Sequence, residues 1–268
     1  MARYEGMLAE TVNINGHNGD LIDAYLARPL GVGPVGSVVL IHHMPGWDEA
    51  SKEMARKLAY NGFATISPNL HFREGKATPQ ENSASIGEKG GMPDDRTMAD
   101  VQAAINYLRT LPYTNGKVGI IGFCSGGRQV VLAAGTLSGI DAAVNCWGGG
   151  VTPRDDAPPT AAMPKAPIEF VSSISCPMLG ICGNDDERPT PAEVDTLEAA
   201  LKQHNKTYEF HRYDGAGHGF FAVDRPSYRQ EQTVDGWEKV LAWFNKYLSS
   251  DAATDGRGAA QARAAVRA

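Results

Sequence analysis

Gly122-Phe123-Cys124-Ser125-Gly126 sets a thiol between two glycines, after an apolar run at 118–123 and before another at 130–134. The pattern fits G-x-nucleophile-x-G, a sharp strand–turn–helix join that exposes its middle side chain. Neighbouring backbone crowds the positions two before and two after, so glycine is required at both. The helix N-terminus beneath favours an anion and draws a thiol below its usual pKa of about 8.5. The next N–H, that of Ser125, points to where an acyl oxyanion would form. Two other readings fit the same residues: a tight turn around a buried thiol, or Ser125 as the nucleophile. Ser125 has glycines at −3, +1 and +2, so the −2/+2 frame selects Cys124.

Such a nucleophile needs a base, and the base needs an orienting acid. With this kind of elbow the chain order is nucleophile, acid, histidine, the last two on loops after late strands. Three of the seven histidines follow Cys124. His204 reads as a solvated residue near a helix end, and His211 as a strand residue. His218, in "YDGAGHGFF", follows a strand in a glycine-rich loop and is the base. The acid belongs in "GNDDERPTP", where Asp185 and Asp186 are adjacent and point in different directions. One would face the histidine while the other caps the helix beginning near Pro191. Spacing from Gly183 favours Asp186.

A second oxyanion donor comes from the loop after an earlier strand. "HHMPGWDE" supplies that loop, and the Met44 amide is the candidate because Pro45 has no N–H. His43 suits either a hydrogen bond to the thiol or a structural place in the loop. Trp47, Phe123, Trp147, Phe220 and Phe221 suit an apolar pocket and the core equally.

These loops need a scaffold. "GSVVLIHH" and "FATISPN" read as strands, with "EASKEMARKLAYNG" between them as a helix ended by glycine. In "PDDRTMADVQAAINYLRTL", Met98, Val101, Ile105, Leu108 and Leu111 share a helical face. Strand "KVGIIGF", helix "SGGRQVVLAAG", strands "GIDAAVNCW" and "CPMLGIC", helix "TPAEVDTLEAALKQHN" and strand "TYEFHRYD" follow. Val234, Trp237, Leu241, Phe244 and Leu248 mark the buried face of a final helix. Alternation of this kind implies an α/β fold with a mostly parallel central sheet and helices on both faces. "ETVNI" and "LIDAYLARP" read as an antiparallel N-terminal edge hairpin. Residues 73–95 and 148–167 read as long loops. No composition shift divides residues 1–250, which read as one domain, and the Ala/Arg-rich 251–268 reads as a tail outside it.

Composition narrows the function further. The net charge of −6 over 268 residues, with no basic run, argues against nucleic acid. No apolar stretch approaches the roughly 18 residues of a membrane span, and the N-terminus lacks a signal-peptide pattern, so a cytosolic protein is expected. The four cysteines show no C-x-x-C pair and no spacing suited to zinc, so neither metal nor cofactor is expected. Cys146 and Cys182, in apolar runs, read as small buried hydrophobes. The expected partner is a small molecule, with the chain a monomer or homodimer.

"PYTNGKVGIIGFCSGG", "GNDDERPTP" and "YDGAGHGFF" together resemble the dienelactone hydrolase (carboxymethylenebutenolidase) family of α/β-hydrolases, over about residues 36–248. The resemblance implies an α/β-hydrolase fold and a Cys-His-Asp triad that opens a lactone ring. It maps the nucleophile onto Cys124, the base onto His218, and the acid onto the Asp185/Asp186 pair. Where this chain has His43 the family often has a glutamate near the resting thiol. The family's carboxylate-binding arginines have no secure counterpart: Arg225 is displaced, and Arg73, in "HFREG", reads either as a carboxylate anchor or as an exposed loop arginine. A lactone or activated ester is the substrate so implied; the alternatives are a broad carboxylesterase or thioesterase with the same triad, and a catalytically weak ligand-binding α/β-hydrolase relative.

Overall fold

In a computed structural model, described for residues 4–250 apart from 32, 76, 155 and 157, the chain alternates strands with helices. The order is β1 (Tyr4–Asn15), β2 (Leu21–Gly31), β3 (Val35–Ile41), α1 (Glu49–Tyr60), β4 (Ala64–Pro68), α2 (Pro79–Glu88), α3 (Asp94–Thr110) and β5 (Thr114–Phe123). Then come α4 (Ser125–Thr136), β6 (Ala142–Cys146), β7 (Met178–Gly183), α5 (Pro191–Gln203), β8 (Tyr208–Tyr213) and α6 (Gln230–Leu248). The eight strands form one sheet in the order β1-β2-β4-β3-β5-β6-β7-β8. From β4 to β8 every neighbour is parallel, while β1 pairs antiparallel with β2 and β2 with β4. This is the expected α/β-hydrolase architecture with its edge hairpin. The tail expected at 251–268 lies outside the described residues.

The central strands are apolar on both faces because both are covered. Along β3, Val39 and Ile41 join the side covered by α3 and α4, whereas Val38 and Leu40 join the side covered by α1 and α6. β5 divides in the same way, with Val118 and Ile120 on one side and Ile121 and Phe123 on the other. A strand buried on both faces holds its C-terminal end firmly, and the end of β5 is where Cys124 stands. Among the described residues no helix is long and apolar enough to cross a membrane.

Two local expectations change. The stretch 73–95 is not a plain loop, because it contains α2, opened by a capping box between Thr78 and Glu81 with Pro79 in the first turn. The face of α6 begins at Thr233 rather than Val234: Thr233 turns inward and donates its hydroxyl to Phe220 O at 2.7 Å, while Val234 stays 37% exposed. By contrast, the described residues of 148–166 carry no helix, and a 3-10 segment begins at Pro167.

Arg73 is fully occupied in the fold, which corrects its reading as a substrate anchor. Its Nε donates to Asp20 at 2.6 Å, and Nη1 and Nη2 grip Asp100 at 2.7 and 3.1 Å. Asp100, fully buried on α3, also accepts the His17 amide at 2.7 Å. The guanidinium thus ties the β1–β2 turn to α3. Removing it would leave a buried carboxylate short of its cation, a defect that costs about 3 kcal/mol or more. Arg73→Met is therefore expected to lower the unfolding free energy measured by urea denaturation by that amount while leaving KM for a lactone or ester within about twofold. A rise in KM with unchanged stability would restore the substrate role.

Candidate active site

Cys124 follows β5 directly, with φ 56° and ψ −120°, a conformation that non-glycine residues adopt only under constraint. The constraint is visible at both flanking glycines. A Cβ on Gly122 would stand 2.1 Å from Gly126 O, and one on Gly126 would stand 2.2 Å from Ile41 O. The Cys124 amide donates to Cys146 O at 3.1 Å, which carries the β5–β6 pairing one step beyond the strand. Helix α4 then starts immediately, with Gly127 N donating to Cys124 O at 2.9 Å. The side chain is left at the helix N-terminus, above the carboxyl ends of the parallel strands.

The loops after β7 and β8 meet beside it. Gly183 ends β7 so close to Ala216 that a Cβ would stand 2.1 Å from Ala216 O. This approach brings His218 onto Asp186: Nδ1–H donates to Oδ2 at 2.9 Å and lies 3.2 Å from Oδ1. Asp186 is only 4% exposed, and the Arg188 amide donates to its Oδ1 at 2.8 Å. Asp185 faces solvent, so of the pair it is Asp186 that meets the histidine. Neither aspartate caps α5, since Thr190 does so in a capping box with Glu193. His204 caps the end of α5 in solvent, and His211 pairs with Glu209 on the surface of β8.

The electrostatics follow from this geometry. Burial opposes ionisation of Cys124, but His218 and the amides of Ser125 and Met44 more than offset it, so the thiol ionises more readily than an ordinary cysteine. Burial likewise opposes the imidazolium of His218, yet Asp186 and the thiolate raise its pKa to about 10. Each group thus favours the charged form of the other, and both anticipated amides face the sulfur. The other thiols are different: burial pushes Cys176 up to about 11 and Cys182 up to about 12. Cys146 is also raised by burial.

The loop between β3 and α1 carries Met44. His43 turns its Nε2 to Asp48 Oδ2 at 2.6 Å, a bond that suits the structural reading of this histidine. Asp48 is also the N-cap of α1, accepting from Ser51 N at 3.0 Å and Ser51 Oγ at 2.9 Å. Asp48, His42 and His71 were not singled out by sequence reasoning, though an aspartate just before a helical pattern signals an N-cap. The aromatic candidates divide. Trp47 is half-buried, with Nε1–H donating to Ser67 O at 2.9 Å. Phe123 and Phe220 are core residues rather than pocket lining, 4% and 0% exposed, stacked among Trp147, Phe221 and their neighbours. Among the described residues no cluster of His, Cys, Asp and Glu is placed to hold a metal ion.

Residues 22–248 match the model of the Dienelactone hydrolase family. The chain belongs to that family. It is similar to a Methylorubrum extorquens protein named "Putative carboxymethylenebutenolidase", 33% identical over 245 residues, covering 90% of this chain and 82% of that one. A Bradyrhizobium protein named "Probable 2-oxo-3-(5-oxofuran-2-ylidene)propanoate lactonase" is 29% identical over 252 residues, 90% of this chain and 98% of that one. Among solved structures, a Klebsiella pneumoniae protein described as "Putative Dienelactone Hydrolase" superposes with a TM-score of 0.82 at 30% identity. The match covers 91% of this chain and all (100%) of that one. Membership makes this chain a hydrolase of the α/β-hydrolase fold.

Two buried histidines near this dienelactone hydrolase site give stability a pH dependence. Burial, with His71 and His43 nearby, lowers His42 to about 3, against a weaker pull upward from the His43 carbonyl and Asp48. Burial, with Arg96 and His43, lowers His71 to about 4, opposed by Glu74. Between those values and the unfolded value of about 6.5 the unfolded chain binds more protons, so stability falls as pH falls. Each histidine adds a slope of up to about 1.4 kcal/mol per pH unit. His218 does not cancel this, because its raised pKa gives a contribution complete below about 6.5 and lost only as pH climbs toward 10. Urea midpoints measured from pH 7.5 to 4.5 are expected to fall steadily, and a flat profile would contradict the buried neutral rings.

Proposed function

We propose that this dienelactone hydrolase opens an enol-type lactone, or another activated ester, through a Cys124–His218–Asp186 triad and an acyl-thioester intermediate. The observation that carries the reading is the continuous line from buried Asp186 through His218 to the sulfur of Cys124. In the first step the thiolate forms a bond to the carbonyl carbon while the C=O π electrons move onto oxygen. The amides of Ser125 and Met44 stabilise that oxyanion, and one such donor is typically worth about 2.7–4 kcal/mol. Collapse of the intermediate breaks the ring C–O bond, and the His218 imidazolium gives its proton to the departing oxygen. Neutral His218 then takes a proton from water, whose oxygen attacks the thioester, and the thiolate leaves to restore the resting pair.

Leaving-group chemistry selects the substrate class. A thiolate of lowered basicity is itself a good leaving group, so the tetrahedral intermediate goes forward only when the other leaving group is at least as stable. An enolate meets that condition and an amide nitrogen does not. The lactonase name of the Bradyrhizobium relative points the same way.

Cys124→Ala is expected to keep the fold and lose roughly 10⁴-fold or more in kcat on a dienelactone. Cys124→Ser should also lose most of the rate, because an alcohol does not ionise there. Unchanged turnover in the alanine variant would end the proposal. A panel adding p-nitrophenyl esters decides the substrate: preference for the lactone supports this reading, and cleavage of esters alone replaces it with a carboxylesterase using the same thiol. The neighbouring aspartates provide a separate check. Asp186→Asn is expected to lower kcat by about 10²–10⁴, by analogy with other triads, while Asp185→Asn leaves it within about twofold. The reverse ranking would reassign the acid.

A further inference from the structure

The Met44 N–H is one end of a rigid, planar peptide group whose other end is the His43 carbonyl. Whatever orients that carbonyl therefore aims the N–H as well. His43 O accepts two hydrogen bonds, from Gly46 N at 3.0 Å, closing a turn, and from His42 Nδ1 at 2.8 Å. Because a carbonyl can only accept, Nδ1 of His42 carries the proton. On the far side of the ring, Leu70 N–H points to Nε2 at 3.2 Å while also reaching Pro68 O at 3.1 Å. A backbone N–H can only donate, so Nε2 is bare. The two backbone partners thus dictate one neutral tautomer.

The ring cannot turn away from this arrangement. His42 is 3% exposed, and the edge of the His71 ring meets it at a centroid distance of 4.7 Å and an interplanar angle of 86°. His71 in turn lies so close to the turn that a Cβ on Gly46 would stand 2.6 Å from its Nδ1. His43, the other imidazole of the loop, bonds Asp48 instead.

We propose that His42 is the positioning residue of the oxyanion hole, holding the 43–44 peptide so that the Met44 N–H faces the reacting centre. His42 touches no reacting atom. It also polarises the peptide, since a carbonyl that accepts a hydrogen bond makes its own N–H a stronger donor. The inference rests on the reading of the Met44 amide as an oxyanion donor.

The test uses two substitutions that separate the ring's two nitrogens, with Cys124→Ala alongside. His42→Asn puts an amide N–H where Nδ1–H stands, whereas His42→Gln puts its amide at the Nε2 position and leaves His43 O without that donor. Expected are kcat within about threefold of wild type for H42N, and a fall of about 10²-fold with KM within twofold for H42Q, the scale of one lost oxyanion donor. A trifluoromethyl ketone, which adds to the thiolate as a tetrahedral oxyanion, should bind H42Q more weakly by the same factor as kcat/KM falls. A merely structural role would not move that Ki in step with the rate. Equal losses in a folded H42N and H42Q, a Ki unmoved while kcat falls, or wild-type kcat in H42Q would each overturn the proposal. Should H42Q not fold, H42N decides: kcat lower by tenfold or more overturns it, and retention with an unchanged Ki supports it. If Cys124→Ala keeps its activity, the catalytic reading itself has failed. If that variant is dead while H42Q turns over normally, only the positioning role has.

Discussion

Cys124 sits at φ 56° and ψ −120°, a backbone state that costs an L-residue on the order of 1–3 kcal/mol. The surrounding structure must therefore enforce it, and much of the fold is arranged to do so. β5 lies at the centre of the parallel sheet, buried on both faces, so its end cannot relax. α4 starts at the next residue and packs so closely on β3 that Gly126 leaves no room for a side chain against Ile41 O. The strain presents the sulfur outward, at the N-terminus of a helix, with two amides facing it.

Charge placement depends on that fixed point. A thiolate in a largely buried position is unfavourable unless partners hold it, and here the partners come from three separate strand ends. The elbow and the loop after β3 contribute amides, and the loop after β8 contributes the imidazole. Asp186, from the loop after β7, makes the imidazolium tolerable in turn. Each charged member is stabilised by the next, so the site behaves as one electrostatic unit rather than as separate residues. The histidines nearest the oxyanion loop behave in the opposite sense. His42 and His71 are buried without a carboxylate bonded to the ring, and burial keeps them neutral. A single cluster of loops thus favours the charged form of one imidazole and the neutral form of two, and the difference is the presence of Asp186 and the Cys124 thiol beside His218.

Arg73 and Arg128 show how the remaining charges serve the scaffold. Arg128, on α4, holds Asp94 at the start of α3 with two bonds, at 2.6 and 2.9 Å. Arg73 joins the edge hairpin to the middle of the same helix. Both cations are taken up by buried carboxylates. Neither guanidinium is left as a free fork for a substrate.

Local patterns in the chain carried a large part of this. Strand–helix alternation specified the α/β class, and glycines at 122 and 126 specified the elbow. The thiol, His218 and the Met44 amide were legible because each follows a strand whose end faces the same side of a parallel sheet. Two helix starts were equally legible, "TPQE" at 78–81 and "TPAE" at 190–193, and overlooking the first turned α2 into a loop. What the sequence could not decide was which partner each polar group would find across the fold. Asp185 and Asp186 differ by one position, and only the approach of Gly183 to Ala216 turns one toward His218. Arg73 looks like an exposed loop arginine until Asp100, 27 positions away, is brought against it. His42 looks like any histidine after a strand until Leu70 and the His43 carbonyl fix its tautomer. Periodicity and backbone sterics are local, so sequence alone determined the elements and the elbow that presents Cys124. Hydrogen-bond pairing and burial are not local, so tertiary structure decided which aspartate meets His218, which carboxylates take up the arginines, and the tautomer of His42.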